Sequence, residues 1–106
     1  MKKQQTGVII TIGSSGIKGG REGQSAYLCS KNSLKTLSEC IALEGKLHNI
    51  FSYYVIPRRT NTKMRKKMYP DEDLSTLLCL DDLVNNIMFI ISENIPNLTG
   101  SSFWIN

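Results

Sequence analysis

Tyr27 and Lys31 stand four residues apart in the run Tyr27-Leu28-Cys29-Ser30-Lys31. On a helix this spacing brings a phenol and an ammonium onto one face, within reach of each other. A free phenol has a pKa of about 10, so it exchanges protons poorly at neutrality unless a nearby cation favours the phenolate. The pair therefore suits proton transfer at an oxygen, although a Tyr and a Lys also meet at helical spacing by accident. Ser14 lies thirteen residues before Tyr27, at the end of a β-branched run, where open α/β sheets place ligand-binding groups. A hydroxyl, a phenol and a cation converging on one oxygen can hold it and carry its proton as charge develops there.

The elements that must position these groups follow from pattern. Val8 to Ile12 is a compact apolar run without alternation, which predicts a strand buried on both faces of a parallel sheet. Gly13 to Gly23 is a loop with further glycines at 16, 19 and 20, able to lie close to a ligand. From Ser25 to His48, the recurrence of Leu34, Leu37, Ile41 and Ala42 predicts a long helix with one buried face. Phe51 to Ile56 is β-rich and stops at Pro57, predicting a second strand. Strand, helix, strand in this order gives two parallel strands joined by a crossover. Asn61 to Tyr69 is basic, with room for one or two helical turns, and Pro70 to Asp73 is an acidic turn. Asp81 is placed to cap a helix with an apolar stripe of Val84, Ile87, Met88 and Ile91, and Asp81 and Asp82 suit the positive end of its dipole. After Pro96, the Thr99-Gly100 turn leads into a last strand, Ser102 to Ile105.

A chain of 106 residues fits one small domain, which hides only roughly 65% of its unfolded surface. The net charge of +4 is compatible with an anionic partner but equally common in enzymes that touch no nucleic acid. Cys29, Cys40 and Cys79 show no C-x-x-C spacing, so neither a disulfide framework nor a metal site is expected, and packing thiols are the default. Met1-Lys2-Lys3 followed by Val8 to Ile12 is too short an apolar run for a secretory signal, which favours a cytoplasmic chain with no membrane partner. Trp104 and Phe103 are expected in core or interface packing.

Ile9-Ile10-Thr11-Ile12-Gly13-Ser14-Ser15-Gly16, then Gly23-Gln24-Ser25-Ala26-Tyr27 and Ser30-Lys31, resemble in order and spacing the short-chain dehydrogenase/reductase pattern. The likeness continues through Leu37, Ala42, Leu43 and Glu44, through Pro57 with Thr62 beyond it, and into the Thr99-Gly100 turn. It implies an α/β fold, the C-terminal, catalytic half of a Rossmann-like doubly wound parallel sheet (β-α-β-α-β) over residues 1–106. It also implies hydride transfer between NAD or NADP and a small carbonyl or alcohol substrate. By position, Tyr27 would be general acid/base, Ser14 would bond the reacting oxygen, and Lys31 would support Tyr27 and hold the nicotinamide ribose. Pro57, Thr62 and, less centrally, Thr60 would contact the cofactor beside Tyr27 and Lys31. Ser15 is the neighbour that could replace Ser14 if the strand ended one residue later.

The family's glycine-rich phosphate loop, its cofactor-selecting residue and its catalytic Asn would precede Met1, so the N-terminal nucleotide-binding half is expected to be absent. Arg58 stands where the family usually has the Gly of a Pro-Gly turn, and Gly takes backbone angles that Arg does not take cheaply. The chain is then either a fragment of a full enzyme or a natural product that starts internally, and Met1 and Arg58 lean toward the second. Activity is not expected from the chain alone. The alternatives are a non-catalytic remnant acting by oligomerisation, as a homo-oligomer or by pairing with an intact homologue through helix 25–48, and a small nucleic-acid binder using Arg58, Arg59, Lys63, Arg65, Lys66 and Lys67. No nucleic-acid motif accompanies that cluster, so nucleic acid is not the expected partner.

Overall fold

The computed structural model describes residues 1–93 and 95–106. Three parallel strands form one sheet in the order β1 (Gly7–Ile12), β2 (Ile50–Pro57), β3 (Ser102–Ile105). β1 pairs with β2 from Gly7 with Ile50 to Ile12 with Val55, and β2 pairs with β3 from Tyr54 with Ser102 to Pro57 with Ile105. Helix α1 (Ser25–Gly45) connects β1 to β2, and a short α2 (Lys63–Met68) and the longer α3 (Leu80–Glu93) lie between β2 and β3.

The central strand decides the layering. Every residue from Ile50 to Ile56 is buried, and successive side chains leave a strand on opposite faces. Phe51, Tyr53 and Val55 join Leu78, Leu83, Ile90 and Ile105 in the main core, so α3 covers one face. Ser52 and Tyr54 turn to the other face, where the Ser52 hydroxyl meets that of Ser38 on α1 at 2.8 Å and the Tyr54 hydroxyl donates to the Lys31 carbonyl at 2.7 Å. Helices on both faces of a parallel sheet are the doubly wound arrangement that the element order predicts.

The faces the helices bury differ from the expected ones. The buried line of α1 is Leu28, Ser38, Ala42 and Gly45; of the predicted stripe Ala42 is buried, while Leu37 is 51% exposed. Small residues bring α1 close to β2, and a Cβ at Gly45 would stand 2.6 Å from the Ile50 carbonyl oxygen. On α3 the buried residues are Leu83 and Ile90, with Ile87 packed against the same core, whereas Val84, Met88 and Ile91 are exposed. Both sets have helical spacing, so periodicity alone leaves the rotation of this helix open by about one residue. The helix starts at Leu80, which places Asp81 and Asp82 inside its first turn, with Asp81 past the cap position. β1 is half-buried and is an edge strand in this sheet, rather than buried on both faces. The three cysteines are free and exposed rather than packed. Phe103 packs edge-on against Tyr53, with ring centroids 5.8 Å apart. Trp104 lies partly exposed, with the Lys18 ammonium 4.2 Å above its ring.

The basic stretch does become a short helix, α2, capped by the Thr62 hydroxyl, which accepts from the Arg65 N–H at 3.1 Å. It is tied down by Glu72, whose carboxylate receives two bonds from the Arg65 guanidinium, one of them 2.7 Å long, and one from Arg59 at 3.3 Å. Arg65 also lies 4.7 Å over the Tyr69 ring. The hydrogen bond from Arg65 holds the Glu72 carboxyl below its usual range, and the charges of Arg65 and Arg59 add to this.

Two outcomes follow from this packing. Gly45→Ala must push a backbone carbonyl aside, and urea unfolding should show it less stable than the parent by about 1–3 kcal/mol. Because the Glu72 carboxyl is lowered in the folded state, its contribution is complete above the ordinary Glu value of about 4.3 and is lost as pH falls through the lower folded value. An NMR titration into that acid range should move the Arg65 Nε and Tyr69 ring resonances together, and Glu72→Gln should show the released positions already at neutral pH.

Candidate active site

The cleft opens at the carboxyl ends of the strands. There the Gly13 N–H donates to the Val55 carbonyl at 2.7 Å and the Arg58 N–H donates to the Ile105 carbonyl at 2.9 Å, so the loops leaving β1 and β2 start side by side. This is the place where parallel α/β sheets collect ligand-binding groups. A cavity of about 590 Å³ lies between these loops, α1 and α2, and Ser14, Tyr27, Lys31, Pro57, Thr60 and Thr62 all line it. Six side chains or rings named from sequence, drawn from three separate segments, thus face one space.

Ser14 has extended backbone and caps the 3-10 turn Ser15–Lys18, its Oγ accepting from the Gly16 N–H at 3.2 Å. An accepted bond occupies a lone pair and leaves the hydroxyl proton able to donate elsewhere. Tyr27 is 46% exposed, and among the described residues its hydroxyl has no hydrogen-bond partner. Lys31 reaches across to the end of β1, where Nζ donates to the Ile12 carbonyl at 3.0 Å. An ammonium carries three donors, so this anchor leaves two for other acceptors. Among the described residues no direct hydrogen bond links the three side chains; they share the cleft without touching through polar atoms.

Tyr54 holds this arrangement from beneath. It is fully buried, and its hydroxyl bond to the Lys31 carbonyl fixes α1 at the residue that carries the ammonium. Burial pushes its phenol above the ordinary range, partly offset by the Ser14 main chain beside it, so it remains a donor. Its ring also fills the space a side chain at Gly13 would need. Sequence reading placed Tyr54 in a strand and gave it no further role. A tyrosine within a fully buried apolar run must find a partner for its hydroxyl, and that was the available signal.

The two threonines differ. Thr62 accepts from Arg65 as the α2 cap, which leaves its proton available, whereas Thr60 donates its proton to the Arg58 carbonyl at 2.8 Å. Arg58 takes the glycine position without backbone strain: among the described residues the non-glycines with positive φ are Gln5 and Asn49. The expected penalty does not arise, because here the backbone continues the strand pairing to β3. The lining also contains Arg21, Gln24, Met64, Met68 and Tyr69. Arg59 and Arg65, part of the cluster considered for nucleic acid, are instead occupied by Glu72. Among the described residues no helix is long and apolar enough to cross a membrane.

Comparison with known proteins agrees with this architecture. The family model described as short chain dehydrogenase matches residues 1–73. D-erythrulose reductase of Gallus gallus is 26% identical over 110 residues, an alignment that takes in 94% of this chain and 45% of that protein. A solved short chain dehydrogenase/reductase family protein superposes with a TM-score of 0.88 at 22% identity, over 99% of this chain and 46% of the other. A putative NAD(P) dependent gluconate 5-dehydrogenase from Beutenbergia cavernae, solved with bound NADP, gives a TM-score of 0.86 at 19% identity over 98% of this chain and 46% of its own. The chain therefore spans somewhat under half the length of the proteins it matches. With the strand order, the cleft and the family match in agreement, the chain belongs to the short-chain dehydrogenase family.

Proposed function

We propose that this chain forms the substrate-side half of an NAD(P)-dependent oxidoreductase that interconverts a carbonyl and an alcohol. The observation that carries the reading is the convergence of Ser14, Tyr27, Lys31, Pro57 and Thr62 on one cleft at the carboxyl ends of β1 and β2. In this reading the Ser14 hydroxyl, already fixed by Gly16, donates to the reacting oxygen and sets its position. The Tyr27 hydroxyl, open to the cleft, gives that oxygen its proton in reduction and takes it in oxidation. Lys31, held by Ile12 and with two donors remaining, holds ribose hydroxyls and sets a positive charge beside the site of proton transfer.

The residues present fit the nicotinamide end of a dinucleotide. The cleft offers a fixed ammonium and the Thr62 hydroxyl, with the Pro57 ring as an apolar wall. When bound, the cofactor supplies or accepts the hydride at carbon. Ser14 and Tyr27 then deal only with charge and proton at oxygen. Thr60 is the weaker contact, since its proton is engaged by Arg58.

We further propose that activity needs a nucleotide-binding half packed along the second edge of β1, the edge that β2 does not use. A parallel edge strand of this kind is ordinarily covered. Pairing of two copies, or of this chain with an intact relative, would use the outer face of α1 and its end, where Leu37, Leu43 and Leu47 are exposed. The idea of a remnant acting only by assembly draws on that same face, but it gives the shared cleft no role.

The test is a titration of the 106-residue chain with reduced nicotinamide mononucleotide and, separately, with acetoin, followed by amide and side-chain NMR. Both should move Ser14, Tyr27, Lys31 and Thr62 resonances, with millimolar rather than micromolar affinity because the nicotinamide end makes only part of a dinucleotide's contacts. Lys31→Ala should weaken the mononucleotide and leave acetoin nearly unaffected. Shifts confined to other regions would remove the basis for the proposal.

A further inference from the structure

We infer that Arg21 receives a carboxylate on the substrate, so that the carbonyl compound taken by this site is an oxo acid. The inference rests on the oxidoreductase reading above and concerns what the site selects.

Five cationic residues line the cleft, namely Arg21, Lys31, Arg58, Arg59 and Arg65, and no carboxylate lines it among the described residues. The cations are not equivalent. Glu72 engages Arg59 and Arg65 from outside, and Lys31 is anchored to the Ile12 carbonyl. Arg58 belongs to the loop after β2, on the side assigned to the cofactor. Arg21 comes from the opposite loop, the one that carries Ser14, and among the described residues its guanidinium has neither a salt bridge nor a hydrogen bond.

Its position beside Ser14 can be stated through Gly16. The point that a Cβ at Gly16 would occupy lies 3.4 Å from the Ser14 Oγ and 4.0 Å from the Arg21 Cζ. The hydroxyl assigned to the reacting oxygen and this guanidinium are therefore near neighbours, packed around one point together with the buried Leu28 side chain, whose Cδ2 lies 2.6 Å from that point. The backbone of Arg21 is set by a turn in which the Gln24 N–H donates to the Arg21 carbonyl at 3.2 Å, with Gly23 at φ +72°, a conformation that favours glycine. This turn leads directly into the first turn of α1 and Tyr27.

A group bound by Arg21 is thus a short reach from the oxygen bound by Ser14, and both belong to one small molecule. A guanidinium presents parallel donors that match a carboxylate in a two-point contact, and a single such side chain balances a single negative charge. Met64, Met68 and Tyr69 provide apolar lining for the remainder of a short carbon skeleton. Arg21 is then a specificity-determining residue and takes no part in the proton transfer.

The test compares acetoacetate with its neutral methyl ester, and with dihydroxyacetone phosphate, by NMR titration of the whole chain and of Arg21→Ala and Arg21→Lys. Arg21 is exposed and in a loop, so the substitutions leave the fold intact. Acetoacetate should bind about tenfold more tightly than the ester, with shifts centred on Gly13, Ser14 and Gly16. Arg21→Ala should abolish the difference without altering ester binding, and Arg21→Lys should keep part of it. Equal binding of acid and ester in the parent chain, or a preference that survives Arg21→Ala, would overturn the inference while leaving the oxidoreductase reading in place. Tighter binding of the phosphate would overturn the carboxylate assignment. Failure of every probe to move Ser14 and Tyr27 would bring down both readings.

Discussion

The hydroxyl of Tyr54 donates to the main chain of Lys31 at 2.7 Å, and most of the site depends on that bond. It joins β2, which ends at the loop carrying Thr60 and Thr62, to the helix that carries the phenol and the ammonium. A buried hydroxyl without a partner costs about 1–3 kcal/mol, so helix and strand cannot slide relative to each other without a penalty. The same ring lies where a Gly13 side chain would be, which lets the chain turn away from β1 immediately above it and present Ser14. One side chain beneath the cleft thus sets the depth of the serine loop and the height of the lysine.

That arrangement works only because α1 lies close to the sheet. Beyond Leu28 its buried line is the small residues Ser38, Ala42 and Gly45, and Ser52 is the strand residue that meets Ser38. Two hydroxyls bonded to each other occupy less room than two larger apolar side chains and give each buried oxygen a partner. The larger residues of the helix are displaced outward, which is why Leu37 and Leu43 are exposed. Close approach and an apolar outer face are therefore a single structural choice.

Much of this was legible in sequence because the relevant residues obey local rules. β-branched runs marked the strands, and Tyr27 and Lys31 are near enough in sequence that helical geometry alone brings them together. The rotation of the helices was less accessible. In α3, Val84 with Met88 and Ile91 competes with Leu83, Ile87 and Ile90 at the same spacing, and only contact with Phe51, Tyr53 and Val55 decides between them. In α1 the buried face is marked by small residues, which a search for large apolar ones passes over. Tyr54 was missed for a related reason: it acts on Lys31, a neighbour distant in sequence, and no spacing rule encodes that relation.

Arg58 illustrates how far a local rule can be trusted. Read as a replacement for a turn glycine, it suggests strain, yet its N–H simply extends the pairing of β2 with β3 through the Ile105 carbonyl. Where a residue prolongs a ladder, its φ is already in the ordinary range, and a side chain is no burden. The substitution therefore changes the electrostatics of the cleft rather than its backbone. It adds a cation to the wall after β2, opposite the wall that holds Ser14 and Arg21. Glu72 offsets part of the charge of Arg59 and Arg65, so the cleft keeps positive charge on the Ser14 loop through Arg21 and on the loop after β2 through Arg58, with Lys31 of α1 as a further cation and Met64 and Met68 of α2 as apolar lining. Two anionic groups can therefore lie in such a cleft at once without competing for one cation.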